Sequence, residues 1–194
     1  MKLAITSVML PRWDLAQTFE KLTRYGYDGV ELRGRENPQD PNEEPSFWGR
    51  HVADVSPGNL MQRASEIRTA ADESGLRVIA FAPRATIADG ELIDHLFEGA
   101  RAIDPDQPPM IRIGAPRHDR TRAYMPQFDE ARAGFARLTD RARSAGVKVL
   151  YEIHVGTVAV SCSRTAELLR DLDPAHIGAI YDVPNQIRVG IEDS

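Results

Sequence analysis

Two short runs hold the residues best suited to chemistry. The first is Lys148-Val149-Leu150-Tyr151-Glu152-Ile153-His154, and the second is Ile177-Gly178-Ala179-Ile180-Tyr181-Asp182-Val183-Pro184-Asn185. Val, Leu, Ile and Tyr favour strands. Side chains alternate along a strand, so Leu150, Glu152 and His154 share one face while Tyr151 and Ile153 share the other. Glu152 and His154 therefore point together at the C-terminal end of a strand that starts after Gly146. In the second run Ile180 and Asp182 share a face, and Asp182 falls where the strand stops. Two strands that each end in an inward carboxylate point to a metal site or an acid/base pair. Unpaired buried carboxylates are costly, so two on converging strands need a cation or protons. The plainer alternative is a pair of solvated strand-end carboxylates, or carboxylates paired with Arg33 or Arg112, because structural ion-pair networks give the same pattern.

These residues need a frame that holds strand ends together, and the rest of the chain supplies one. Lys2–Ser7 reads as a first strand. Asp14–Tyr25 reads as a helix, with Leu15, Phe19 and Leu22 in helical spacing. Asp28–Arg33 is a second strand with Glu31 and Arg33 on one face. A Pro-rich acidic loop, Gly34–Ser56, follows and carries Trp48 and His51. Loops of that length are more often lids or binding loops than spacers. Ser56-Pro57 reads as the start of a helix that ends at Gly75. Leu76–Ala82 is a third strand, Glu91–Ile103 a helix, and Met110–Ala115 a fourth strand with Arg112 near its end. Arg117–Tyr124 is a basic loop that reads as a solvated face. Phe128–Ala145 is a helix, Thr165–Leu172 another, and Gln186–Ser194 shows no clear element. Cys162 and the helical Leu and Phe stripes read as structural.

One joint recurs: Tyr25-Gly26-Tyr27, Ser74-Gly75-Leu76 and Ala145-Gly146-Val147 each pass from helix to strand. Alternation of strand and helix implies an α/β fold with a parallel sheet and right-handed crossovers. A doubly wound sheet and a β/α barrel both satisfy that pattern. No Gly-x-Gly-x-x-Gly follows the first strand, which weakens a dinucleotide-binding reading. Glu31, Arg33, Arg112, Glu152, His154 and Asp182 all fall at C-terminal strand ends, where β/α barrels build their active sites.

Bulk properties exclude several classes. The 194 residues suit one domain or most of a larger one. A formal net charge of −5, with no long basic block, disfavours nucleic acid and anionic membrane as partners. No run approaches the ~20 apolar residues of a membrane span. The single cysteine, Cys162, allows no internal disulfide and leans towards a reducing cytoplasm.

From Lys2 to about Asn185 the chain resembles the xylose isomerase-like TIM barrel superfamily, the sugar phosphate isomerase/epimerase group. The marks are Lys2-Leu3-Ala4-Ile5-Thr6, Gly26-Tyr27-Asp28-Gly29-Val30-Glu31-Leu32-Arg33, Ile111-Arg112-Ile113-Gly114, Tyr151-Glu152-Ile153-His154 and Tyr181-Asp182-Val183-Pro184-Asn185. The resemblance implies a TIM (β/α)8-type barrel with about six β/α units present, a single partial domain over residues 1–194. It places the loop 34–56 over the barrel mouth. It implies a divalent cation (manganese, magnesium, cobalt or zinc) with Glu152 and Asp182 as the first two of four ligands. The other two, a His and a Glu from strands seven and eight, are missing, so the expectation is a truncated chain or gene fragment. His154, Asn185, Glu31 and Arg112 match positions near the substrate.

The activity implied is isomerisation or epimerisation of a sugar or related polyhydroxy carbonyl compound. Glu152 would act as the catalytic acid/base, moving a proton through an enediolate. Dehydration could use the same constellation. The expected partner is a small carbohydrate, with homo-oligomerisation left open. Two other readings stand beside this one. The first is a non-catalytic truncated barrel that serves in assembly or binding. The second is an endonuclease IV-like zinc hydrolase, which Phe81-Ala82-Pro83, Asn185 and the net acidity oppose, because that chemistry wants histidines at strand ends and affinity for DNA.

Overall fold

In the computed structural model the described residues are 1–189. In chain order they form β1 (Ala4–Thr6), a 3-10 turn (Ser7–Met9), α1 (Leu15–Arg24), β2 (Gly29–Leu32), α2 (Leu60–Ser74), β3 (Arg77–Phe81) and α3 (Gly90–Ile103). Then come β4 (Met110–Ile113), α4 (Tyr124–Ala145), β5 (Val149–Glu152), α5 (Cys162–Leu168), β6 (Ile177–Ile180) and α6 (Val183–Val189). Six strands alternate with helices, as the helix–glycine–strand joints predict. The chain divides into two compact units. One comprises Met1–Arg84 and Glu91–Ile111; the other comprises Ala85–Gly90 and the chain from Arg112 on.

The first unit holds β1, β2, β3 and the start of β4 as parallel neighbours. Its register shifts between Val30 and Glu31, where Val30 pairs with Val78 but Glu31 pairs with Ala80. Such an irregularity re-aims the side chains beyond it, here Glu31. Helix α1 begins with a capping box: Asp14 accepts from the Gln17 backbone N–H at 2.7 Å, and the Gln17 side chain accepts from the Asp14 N–H at 3.3 Å. Its stripe of Leu15, Thr18, Phe19 and Leu22 is buried, as is the α3 stripe of Ile93, Leu96, Phe97 and Ala100.

The second unit holds the end of β4 followed by β5 and β6. Strands β5 and β6 run parallel, with Val149 opposite Ile177 and Glu152 opposite Ile180. Alternation along β5 follows the pleat: Val149, Tyr151 and Ile153 are buried, whereas Leu150 and Glu152 are half-buried. The buried face meets α4, where the Phe135 and Tyr151 rings lie edge to face at 5.6 Å. Burial pushes the Tyr151 phenol up to about 12, and its hydroxyl is spent on the Ala159 carbonyl and Thr157.

Strands are trimmed by one or two residues at their ends, and helix boundaries differ from the sequence-based ones most at four places. Helix α2 starts at Leu60, not at Ser56-Pro57, because Asn59 turns its side chain back to the Ser56 N–H and the Asp54 carbonyl. Helix α4 starts four residues early, at Tyr124. Pro126 sits in its first turn, where no backbone donor is needed, and Gln127 ties the preceding loop through Asp119, Arg122 and Ala123. Helix α5 is Cys162–Leu168, not Thr165–Leu172, because the Ser161 hydroxyl accepts from the Arg164 N–H. Finally, α6 occupies Val183–Val189, starting three residues before Gln186 and running into the stretch read as having no element; Gly190–Ser194 of that stretch lie outside the described residues.

Candidate functional site

The second unit brings two pairs of the expected residues together. Arg112 on β4 donates from Nη1 to Glu152 Oε1 on β5 at 2.8 Å. The side chains are only 16% and 23% exposed, so the pair sits largely out of water. Period-two alternation produces this contact: Ile111 and Ile113 turn to the buried face, which sends Arg112 to the face that carries Glu152. The ion-pair alternative for Glu152 is thus present. Arg112 supplies its positive charge, and the pair fixes where the carboxylate points.

The second pair lies past β6. Asp182 accepts from the Asn185 backbone N–H at 3.1 Å and from Asn185 Nδ2 at 2.6 Å. Its carboxylate therefore caps the first turn of α6, and Pro184 suits that turn because it lacks an N–H. Asn185 is 8% exposed, so its carboxamide is placed by Asp182 and by burial. Asp182 itself stays half-buried.

The remaining expected residues stand separately. The His154 ring is exposed, with Nδ1 2.9 Å from the Val155 carbonyl. A carbonyl only accepts, so that contact puts a proton on Nδ1, and Nε2 has no hydrogen-bond partner among the described residues. Glu31 belongs to the first unit, half-buried on β2. Its carboxylate makes no hydrogen bond or ion pair among the described residues, and Arg33, two residues on, is engaged by loop carbonyls.

Residues that sequence reasoning named without assigning them a site gather around Arg33. Arg33 as a residue is 5% exposed. Its Nη1 donates to the Arg35 carbonyl and Asn37 Oδ1, and its Nη2 donates to the Gly49 carbonyl, so the loop 34–56 is wrapped around one arginine. His51 is buried beside it. Trp48 is 65% exposed. An arginine directly after an apolar strand, followed by a long loop with little apolar content, was the available signal.

Among the described residues no group of three or more His, Cys, Asp and Glu side chains gathers as a ready metal site. Glu152 and Asp182 offer hard oxygen donors of the kind magnesium or manganese accepts, since such ions are held by one or two carboxylates with substrate and water filling the other positions. They are a poor match for a structural zinc, which prefers Cys and His. The residues present thus suit a hard cation in donor type, and contribute two donors.

Parallel strands, each followed by a helix and carrying its polar groups at C-terminal ends, define a β/α scaffold of the TIM-barrel kind. The family model described as "Xylose isomerase-like TIM barrel" matches residues 19–193, and the chain belongs to that family. Inosose dehydratase of Lacticaseibacillus casei is 23% identical over 186 residues, which cover 90% of this chain and 55% of that protein. The chain therefore spans about half the length of the curated relatives it matches. Among solved structures, 3-keto-D-glucoside 4-epimerase from E. coli superposes with a TM-score of 0.69 at 15% identity, covering 96% of this chain and 70% of that one. A xylose isomerase-like TIM barrel protein from Mycobacterium smegmatis, solved in complex with magnesium, has a TM-score of 0.61 at 16% identity, covering 96% and 66%. At these identities the superpositions speak for the fold. The resemblance read from the strand-end motifs is borne out, as is the α/β fold class.

Proposed function

We propose that this chain carries part of the site of a sugar isomerase, epimerase or dehydratase, in which Glu152 moves a proton beside a substrate carbonyl. The observation that carries the reading is the 2.8 Å contact between Arg112 and Glu152 at the ends of neighbouring strands. It couples a carboxylate suited to proton transfer to a fixed cation suited to holding a hydroxyl or carbonyl oxygen. Asn185 holds Asp182 in place beside the β6 end. A hard divalent cation, held by Glu152 and Asp182, would supply polarisation of the carbonyl. Within the second unit, His154 Nε2 is the group left to contact a substrate hydroxyl. The names of the relatives support a polyhydroxy carbonyl compound as substrate class, since one is an inosose dehydratase and another a keto-glucoside epimerase.

The test is exchange of carbon-bound hydrogen with solvent. The full chain is incubated in D2O with manganese and a set of ketoses and inososes, and proton NMR follows the carbon beside the carbonyl. Deuterium incorporation is expected, falling at least about 100-fold in Glu152→Gln, the scale of a lost general base. One observation favours a second reading, a non-catalytic barrel: Glu152 and Asp182 each already have a partner. That reading predicts no incorporation from the unaltered chain.

A further inference from the structure

A second polar site lies within the first unit. Arg33 follows β2 directly, and Arg84 follows β3 after Ala82-Pro83. Together with Arg35, Glu36, Asn37 and Trp48 they line a cavity of about 360 Å³. We propose that this cavity binds the carboxylate or phosphate of a small anionic molecule, with Trp48 as its apolar wall.

The charge inventory carries the argument. Three arginines and one carboxylate line the cavity. The one lining carboxylate, Glu36, is occupied by the Gly58 N–H at 3.1 Å, and nearby Asp54 accepts from Asn37 at 2.9 Å. Buried His51 adds no positive charge, because burial and the adjoining Arg33 charge hold it neutral. Arg33 makes no ion pair among the described residues, and its Nε is buried without an acceptor. A guanidinium in that state normally has an anionic partner, since burying an unpaired charge is costly. Arg84 adds to the need: it is exposed, yet close enough that its like charge joins burial in pushing Arg33 below its ordinary range. The Asp54 and Glu36 charges offset part of this repulsion without forming an ion pair with Arg33, and an oxyanion held between the two guanidinium groups would offset more of it.

Trp48 gives the cavity its second property. It is exposed on the loop, buttressed by the Phe47 ring at 4.4 Å, with the Arg35 guanidinium 5.6 Å from its ring centre. A presented aromatic face beside arginines suits a small ring or chain with C–H groups on one side and an acidic group on the other. Sugar acids and sugar phosphates share that chemistry.

The experiment titrates the full chain, as Trp13→Phe, following Trp48 fluorescence. The probes are inorganic phosphate, D-gluconate and uncharged D-glucose. A saturable change with phosphate, gluconate or both is expected, weakening as salt is added and weakening at least tenfold in Arg84→Ala, whose exposed side chain can be removed without unfolding. Response to phosphate alone assigns a phosphate, and response to gluconate alone assigns a carboxylate. No change with either anion up to tens of millimolar, equal response to glucose, or unaltered affinity in Arg84→Ala overturns the proposal. The readout uses neither Glu152 nor turnover, so its failure is separate from failure of the proton-transfer reading.

Discussion

Glu152 and His51 show how surroundings set what an ionisable side chain can do. Glu152 has a cation at 2.8 Å and retains partial access to solvent, so it is held in one orientation without being sealed off. His51 has the opposite environment. It is 3% exposed, and burial followed by the Arg33 charge pushes its pKa from 6.5 down to about 4. The folded protein therefore takes up that proton less readily than the unfolded chain. Stability is full above pH 6.5 and falls as pH drops through the window from 6.5 to about 4. Between pH 7 and 5 the loss from this one residue is about 1–2 kcal/mol. His51→Gln, which cannot charge, should lose correspondingly less over that interval, read from urea midpoints at the two pH values. Equal pH dependence in both proteins would remove His51 as a cause. The sequence placed His51 in a long loop but held no sign of its burial, because the arginine that organises the loop sits outside it, at the end of β2.

The elements were the most legible part of the chain. Apolar stripes at helical spacing located α1 and α3, and the glycine joints located the strands that follow α1, α2 and α4. Gly146 shows why that joint is informative: it ends α4 at a φ of 65°, in the left-handed region, and its N–H reaches back to the Ala142 and Arg143 carbonyls. Gly146→Ala should cost about 1 kcal/mol, because Cβ crowds the following carbonyl in that conformation. For a chain of this length that lowers the thermal midpoint by about 2–4 °C, checked by circular dichroism melting. An unchanged midpoint would mean the joint relaxes. Starts of helices were harder to read than ends. Asn59, Gln127, Ser161 and Asp182 each fix a start through side-chain hydrogen bonds to specific backbone groups, and hydrophobic periodicity carries no record of those. Asp182 is the instructive case, since the carboxylate picked out for chemistry is also the cap of a helix that the sequence did not reveal.

At the scale of the whole molecule, family membership and site chemistry are separate matters. Order and spacing of the strand-end motifs identified the xylose isomerase-like fold, because a β/α scaffold repeats one unit and polar residues at its strand ends break the apolar pattern visibly. Which of those polar residues face one another was not legible: Arg112 could have met Glu31 or Glu152, and strand spacing alone does not choose. The described residues join Arg112 to Glu152 and Asp182 to Asn185, giving two hard-oxygen donors and a fixed cation. The proposal that these carboxylates serve a sugar-processing site rests on the Arg112–Glu152 contact and further requires that Glu152 and Asp182 take a hard cation. Manganese binding, followed by electron paramagnetic resonance on the full chain, on Glu152→Gln and on Asp182→Asn, tests that most directly. The account predicts one site in the unaltered chain, weakened at least tenfold by either substitution. Equal manganese binding in all three proteins would contradict it.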